Sequence, residues 1–121
     1  MAYPYFWTER DLLKSAAYLA LPFSARAALP HFYAKCQYEK VGGRRSKEFK
    51  HTNNGELVFT YKEAEALGFA RPTFSKVLAE LQNKGFIKLT LRGFGGVGEV
   101  RASSQFALSP DWKLWKGDGN D

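Results

Sequence analysis

Residues 60–91 contain the most constraining pattern of this chain, a series of closely spaced signals for starting and ending helices. Thr60 and Glu63 have the spacing of a capping box, in which each side chain bonds the backbone N–H of the other, so a helix should begin at Tyr61. Gly68 should end this helix, because glycine readily takes the left-handed conformation beyond a helix terminus. A second helix begins about three residues later, since a proline there suits a first helical turn. The pattern predicts two helices joined by a short turn.

The second helix has one apolar face, because its large hydrophobic residues recur at helical spacing until Gly85 ends it. We expect burial of Phe74, Val77, Leu78 and Leu81. At 100° per residue this leaves an outer face with two shoulders. We place Pro72, Lys76, Ala79 and Asn83 on the outer face, and Thr73, Ser75 and Glu80 on the shoulders.

Two helices joined by a glycine-containing turn over residues 61–84 match a helix-turn-helix. In that motif the N-terminal part of the second helix contacts base edges in the major groove of DNA. Basic and hydroxyl side chains can donate hydrogen bonds to bases. The candidate DNA-binding residues of this helix are Arg71, Thr73, Ser75, Lys76 and Asn83.

A β-hairpin is predicted over residues 86–108, immediately after this helix. Residues 86–91 alternate in polarity as a strand does, residues 92–98 are rich in glycine, and residues 99–108 return as a second strand. This predicts a wing with a basic tip that contacts phosphates or the minor groove. Its candidate DNA-binding residues are Lys88, Arg92, Phe94 and Arg101.

The chain carries a formal net charge of +6, and the excess lies in residues 35–101, whereas the two flanks nearly balance. Basic charge on the proposed binding unit is what a polyanionic partner requires. Hydrophobic periodicity disappears over residues 39–54, which predicts a long, mobile, basic loop. We expect the basic loop to contact DNA through Lys40, Arg44, Arg45, Lys47 and Lys50.

The remaining segments complete a single α+β domain over residues 1–116, followed by a disordered tail at 117–121. Before the basic loop, the pattern predicts a helix over residues 9–20 and a second helix that Ser24 caps and that runs to about Tyr38, with a kink or shifted start at Pro30. The other predictions are a turn at 53–55, a short strand at 56–59, and a terminal anchor at 109–115 that begins as a capped helix.

Several motifs together resemble the winged-helix DNA-binding proteins of bacterial phages, plasmids and integrated elements. The resemblance covers residues 15–112 and is carried by NNGELVFTY at 53–61, LG at 67–68, PTF at 72–74, LAEL at 78–81 and GFI at 85–87. It implies that residues 71–76 enter the major groove and that residues 92–98 form the wing. That group includes replication-initiator domains and transcription regulators, so the resemblance implies a role in replication or transcription of a mobile element.

Other classes of function find little support in the sequence. Residues 93–98 satisfy G-x-G-x-x-G, but the segment after them has strand-like composition, whereas a dinucleotide site needs a helix there. His31, His51 and Cys36 lack partners at metal-ligand spacing, and no nucleophile has an assignable base. We therefore expect no cofactor, no metal site and no enzyme activity.

The setting predicted for this chain is the cytoplasm. One cysteine cannot form an internal disulfide, the N-terminus lacks the features of a signal peptide, and no apolar run of membrane-spanning length occurs. The expected partner is double-stranded DNA, bound as a homodimer or cooperatively because one small module has a limited interface.

Two alternatives stay open at this stage. A winged helix can instead serve protein–protein interaction, through a surface that includes Phe6, Trp7, Trp112 and Trp115. RNA binding is the other alternative, because exposed aromatic side chains such as Phe94 can stack on single-stranded bases. The position of the aromatic residues separates these readings: burial favours duplex DNA, and a solvent-exposed row favours protein or RNA.

Overall fold

A computed structural model describes residues 8–45, 48–92 and 104–117 of the chain. These residues form a mixed α+β fold with four α-helices and two antiparallel strand pairs. The helices are α1 (Ala16–Leu19), α2 (Phe23–Ala34), α3 (Tyr61–Ala66) and α4 (Arg71–Asn83), and the strands are β1 (Tyr38–Val41), β2 (Glu48–His51), β3 (Ile87–Leu91) and β4 (Gln105–Leu108). Two 3₁₀ helices, Arg10–Lys14 and Asp111–Lys113, lie near the ends.

Aromatic rings from four segments meet in the hydrophobic core. The Phe59 ring lies 5.1 Å from that of Phe32 on α2 and 4.8 Å from that of Phe74 on α4, measured between centroids. Phe106 of β4 contacts Phe32 edge-on at 5.7 Å. Such tilted and edge-on pairs suit the aromatic quadrupole and bury large apolar areas. This cluster holds α2, α4 and β4 together.

The helix predicted over residues 9–20 is divided at Ser15. The Ser15 hydroxyl donates to the carbonyl of Leu12 at 2.7 Å and accepts from the Tyr18 amide at 3.1 Å. Its backbone is extended, with φ −69° and ψ 150°. A serine that bonds neighbouring backbone groups competes with helical hydrogen bonding. The segment is therefore a 3₁₀ helix followed by the four-residue α1, which Ser15 caps.

Helix α2 has a different start and end from those predicted. Pro22, rather than Ser24, occupies the N-cap position, and no side chain caps the helix there. The helix contains Pro30 and ends at Ala34, so it stops short of Tyr38. Tyr38 instead begins β1, and its pairing with a distant strand overrides the local helical pattern.

The signals around α3 and α4 are confirmed. The Thr60 hydroxyl accepts from the Glu63 amide at 3.0 Å, and the Glu63 carboxylate accepts from the Thr60 amide at 3.4 Å, which completes the capping box. Gly68 follows α3 with φ +101°, and Gly85 follows α4 with φ +86°. The Phe86 amide donates back to the Leu81 carbonyl at 2.9 Å, which closes the end of α4.

Strands β3 and β4 pair with a shift in register between Leu89 and Leu91. The strand predicted at 56–59 is reduced to one bridge, in which Leu57 and Phe106 exchange hydrogen bonds of 3.0 and 2.8 Å between their backbones. The second strand of the predicted hairpin is described only from residue 104, so its proposed first half and the glycine-rich tip lie outside the described residues.

The segment predicted to be a mobile basic loop contains a β-hairpin. Strands β1 and β2 pair in register from Tyr38 with His51 to Val41 with Glu48. At the base of this hairpin the Tyr38 and His51 rings stack, with their centroids 4.9 Å apart. The Asn53 side chain accepts from the Gln37 amide and donates to the Lys35 carbonyl. These two bonds fix the hairpin to the end of α2. The prediction of a loop over 39–54 is wrong because these contacts join residues far apart in sequence.

Of the terminal anchor predicted at 109–115, Trp112 and Trp115 pack on the core, but Leu114 is 79% exposed, and the segment is a 3₁₀ helix without a side-chain cap. The buried Trp112 ring stacks on Phe86 at 6.1 Å with an interplanar angle of 9°. Lys84 is only 4% exposed. Its ammonium donates to the Glu80 carboxylate at 2.5 Å and lies 5.3 Å from the centroid of the Trp115 ring. Of the predicted tail, residues 118–121 lie outside the described residues.

Gly85 contacts this anchor through its backbone, because its carbonyl accepts from the Trp112 amide at 3.1 Å, and its replacement should destabilise the fold. A Cβ there would lie 2.6 Å from the Trp112 nitrogen and 2.7 Å from the Asp111 carbonyl carbon. Gly85→Ala therefore combines backbone strain with a clash against main-chain atoms. We expect a loss of about 3 kcal/mol in the free energy of unfolding, measured by urea denaturation.

Two further glycines serve as matched controls. Gly68 also has a positive φ, but no atom lies within 4 Å of a Cβ added there. Gly68→Ala should therefore lower the free energy of unfolding by about 1–2 kcal/mol, from backbone strain alone. Gly43→Ala meets open space and should change stability by less than about 0.5 kcal/mol. Equal losses for Gly85→Ala and Gly68→Ala would contradict the proposed packing against Trp112.

Candidate nucleic-acid interface

Helix α4 has the polarity predicted from its sequence. Phe74, Val77 and Leu81 are at most 1% exposed, and Leu78 is half-buried at the edge of the core. The outer face is exposed, as predicted, at Pro72, Lys76, Ala79 and Asn83, and so is the shoulder residue Ser75. The helix therefore offers a polar face at the surface over most of its length.

One shoulder of α4 lies beside the start of α2 across a cleft of about 270 Å³. Its lining residues are Pro22, Ser24, Thr73, Lys76, Val77, Ala79 and Glu80. Thr73 and Glu80 are half-buried there. Thr73 thus lines this cleft, whereas Ser75 lies on the opposite shoulder of α4. Among the predicted reading residues, Thr73 is the least accessible.

Arg71, the first residue of α4, is held by two residues of α3. Its Nε donates to the Glu65 carboxylate at 3.1 Å, and its guanidinium lies 5.8 Å from the Tyr61 ring centroid. The arginine side chain remains 61% exposed. Lys76 is exposed one turn further along α4, and no ion pair between described residues involves it.

The candidate residues of the second hairpin are only partly within the described chain. Lys88 on β3 is exposed and lies 3.5 Å from the Asp111 carboxylate. Arg92 directly follows β3 and is exposed. Phe94 and Arg101 lie outside the described residues, so their predicted roles rest on the sequence alone. Lys88 is the second residue of β3 and Arg92 follows its last residue, so the two cations lie near opposite ends of the strand, and Lys88 is engaged by an acid.

The first hairpin carries four described basic residues, all exposed. Lys40 donates to the Arg44 carbonyl at 2.6 Å across the turn. In the strand register Lys40 is opposite Phe49, and Lys50 is opposite Glu39 on the other face. Arg45 is exposed beside the turn, and Lys47 lies outside the described residues. The predicted basic loop is therefore a hairpin whose lysines are distributed over both of its faces.

A small titratable cluster lies where this hairpin meets α2. Burial, and to a lesser extent the neighbouring Cys36 thiol, raises the pKa of Tyr38 to about 12. Burial also raises the pKa of Cys36 itself and lowers that of His51. All three side chains are neutral at pH 7.5. A protonated thiol is a poor nucleophile, so the cluster has the properties of packing residues.

Glu65 and Tyr61 were missed by the sequence reasoning, although both contact a predicted reading residue. Their signal is weak, because Tyr61 simply follows the capping residue and Glu65 is one of several acids on a short helix. Only the crossing of α3 and α4 brings them beside Arg71. The tertiary structure thus adds two residues to the candidate interface.

Comparison with known protein families, with curated proteins and with solved structures finds no match. The helices of the described ranges are all too short or too polar to span a lipid bilayer. Within those same ranges, no three histidine, cysteine or acidic side chains converge as metal ligands would. The chemistry of the described surface is therefore the basis for the proposed function.

The depressed pKa of His51 predicts an acid-sensitive hairpin base. Desolvation is the main cause of the shift, and the hydrogen bond that the His51 Nε2 donates to the Asn53 Oδ1 at 3.0 Å opposes it. Because the unfolded chain binds a proton near pH 6.5 and the folded chain only at lower pH, stability falls as the pH drops through 6.5. Urea midpoints measured between pH 7.5 and 5.0 should fall more steeply for the natural chain than for His51→Gln. Parallel pH profiles would contradict this assignment.

Proposed function

We propose that this chain is a winged helix-turn-helix protein that binds double-stranded DNA. In this proposal α3 and α4 are the helix-turn-helix, α4 is the recognition helix, and the paired strands β3 and β4 flank the wing. The single observation that carries the proposal is the exposure of Arg71, Ser75 and Lys76 on the N-terminal half of a helix whose apolar face is buried. The N-terminal part of a recognition helix is what reaches base edges.

The side chains on this surface suit a duplex. Arginine and lysine can donate to guanine in the major groove, and serine can bond several bases. Arg92 at the end of β3 supplies a cation in the position of a wing contact, where it would bind phosphate without reading sequence. The exposed cations of the β1–β2 hairpin add a second basic region. Together these features support a binding surface that combines reading and phosphate contacts.

The positions of the aromatic residues also favour a duplex over the alternatives. Phe32, Phe59, Phe74, Phe86, Phe106 and Trp112 are buried, and Trp115 is partly buried on the core. Of the aromatic residues proposed for a partner surface, Phe6 and Trp7 lie outside the described residues. Most described aromatic residues therefore belong to the core, and the exposed ones, Phe23, Phe49 and Tyr61, lie on three different elements, α2, β2 and α3. This majority favours a duplex over single-stranded RNA, which is read by exposed stacking rings.

Exposed apolar side chains give the protein-interaction alternative one specific observation. Leu19, Phe23 and Leu114 are 60%, 82% and 79% exposed. Such residues favour contact with another protein or with a second copy of the chain, and self-association would extend the small interface of one module on DNA. Sedimentation of the chain with and without Leu114→Ser separates this second role from DNA binding, which that variant should retain.

We further propose that the protein acts in the bacterial cytoplasm on the DNA of a mobile element, in transcription regulation or in replication. Neither a cofactor nor a metal is part of the proposed mechanism. Specificity comes from α4, while the surrounding cations supply affinity that does not depend on sequence. The two contributions respond differently to salt and to substitution, which makes them separable by experiment.

Salt dependence tests the phosphate contribution. If about six cations contact phosphates, raising salt from 50 to 200 mM should weaken duplex binding about a thousandfold through release of counterions. Fluorescence titration with random duplex pools measures this directly. Absence of binding at low salt would contradict the proposed function.

Two substitutions test the division between reading and phosphate contact. Lys76→Ala should reduce discrimination between a selected site and random duplex, since a good base contact contributes about 1–3 kcal/mol. Arg92→Ala should weaken all duplexes similarly and lower the slope of log affinity against log salt by about one. Binding is measured on the selected site and on random duplex at several salt concentrations.

Lys14→Ala is the matched control, because Lys14 is an exposed lysine on the first 3₁₀ helix, which packs on α1. It should leave the discrimination of the natural chain unchanged. If the Lys76 and Arg92 variants respond alike across sequences, the division of roles fails.

A further inference from the structure

We infer that Arg71 is a guanine-reading residue whose side chain is positioned for that contact by Glu65 and Tyr61. This inference rests on the proposed function and deepens it, because it names the base and the two residues that orient the reader. The observation is the set of contacts that α3 makes to the first side chain of α4.

The geometry leaves the recognition end of the guanidinium available. Arginine has five N–H donors in a rigid plane, one on Nε and four on the two terminal nitrogens. The Nε of Arg71 donates to Glu65 at 3.1 Å, and the side chain is 61% exposed. The two terminal nitrogens can therefore donate in parallel to O6 and N7 of guanine, which is the commonest specific contact of arginine with DNA.

Tyr61 restricts the position of Arg71 from a second direction. The guanidinium lies 5.8 Å from the centroid of the Tyr61 ring, within the range of a cation–π contact. Tyr61 in turn meets the buried Phe74 edge-on, with centroids 5.3 Å apart and an interplanar angle of 87°. The arginine is thus connected to the core through one aromatic ring, so less side-chain freedom is lost when it binds a base.

The carboxylate of Glu65 has an electrostatic cost that makes its role testable. It is a negative charge beside a surface proposed to bind a polyanion, so its removal should strengthen contact with any duplex. An ion pair this exposed contributes little to folding stability. The role of the Glu65 carboxylate in this inference is orientation: by accepting from the Arg71 Nε, it keeps the guanidinium from pairing with phosphate and directs it toward a base.

Discrimination at a guanine position is the quantity that separates these effects. A preferred duplex is first selected with the natural chain, and affinity is then measured on that duplex, on one with A·T at the guanine position, and on random duplex. We expect the natural chain to prefer guanine about tenfold or more. Arg71→Ala, which removes the donors, should reduce this ratio to about one, and Arg71→Lys, which keeps the charge but loses the planar fork, should give an intermediate ratio.

Glu65→Gln should change two quantities in opposite directions. Its affinity for random duplex should rise, because one negative charge is removed, whereas its preference for guanine should fall several-fold. Glu56→Gln is the matched control, since Glu56 is exposed and forms no ion pair with another described residue. It should leave the guanine preference unchanged.

Tyr61 is tested by a pair of substitutions that differ in the ring. Tyr61→Phe keeps the aromatic face and should retain the preference for guanine. Tyr61→Leu removes the aromatic face and should lower that preference.

A guanine preference that is unchanged in Glu65→Gln, with the affinities for both duplexes raised equally, would show that Glu65 only neutralises Arg71 and would overturn the inference.

The failure of this inference is distinguishable from failure of the proposed function. If the natural chain selects a duplex and Arg71→Ala keeps its guanine preference, the assignment of Arg71 as the reader is wrong but DNA binding stands. If the natural chain binds no duplex in low salt, the proposed function fails, and the inference fails with it.

Discussion

Burial of Phe74 is the interaction on which the rest of the structure depends. Its ring lies 4.8 Å from Phe59, 5.3 Å from Tyr61 and 6.1 Å from Phe69, so one side chain of α4 joins the segment before α3, the start of α3 and the turn after it. Burying an aromatic of this size stabilises the fold by about 1.5–3 kcal/mol. It also fixes the rotation of α4, and that rotation decides which polar residues face solvent.

Local signals in the sequence predicted the elements around this contact. The capping box of Thr60 and Glu63 depends on residues three apart, and Gly85 acts through its own backbone angle, so neither needs information from elsewhere in the fold. The chain departs from prediction where distant residues meet. Ser15 divides a helix by bonding Leu12, and Tyr38 pairs with His51 to build a hairpin from a segment with no hydrophobic periodicity.

The candidate interface also combines features that the local sequence predicts with features that depend on contacts between distant elements. Exposure of Ser75 and Lys76 could be predicted, because helical periodicity places them away from the stripe that includes Phe74. The partial burial of Thr73 in a cleft could not be predicted, because that cleft depends on where α2 begins relative to α4. The contact of Glu65 with Arg71 could not be predicted either, because the five residues between them must fold into a turn before these side chains meet.

The surface of the folded chain that binds duplex DNA can be mapped by NMR, which is a direct test of DNA binding by α4. Amide signals of a ¹⁵N-labelled protein are followed by NMR while an unlabelled duplex selected by the protein is added in low salt. If α4 is the recognition helix, the largest changes occur at Arg71, Ser75 and Lys76, with further changes at Arg92. Changes centred instead on Leu19 and Leu114, or no change on α4 at saturation, would contradict it.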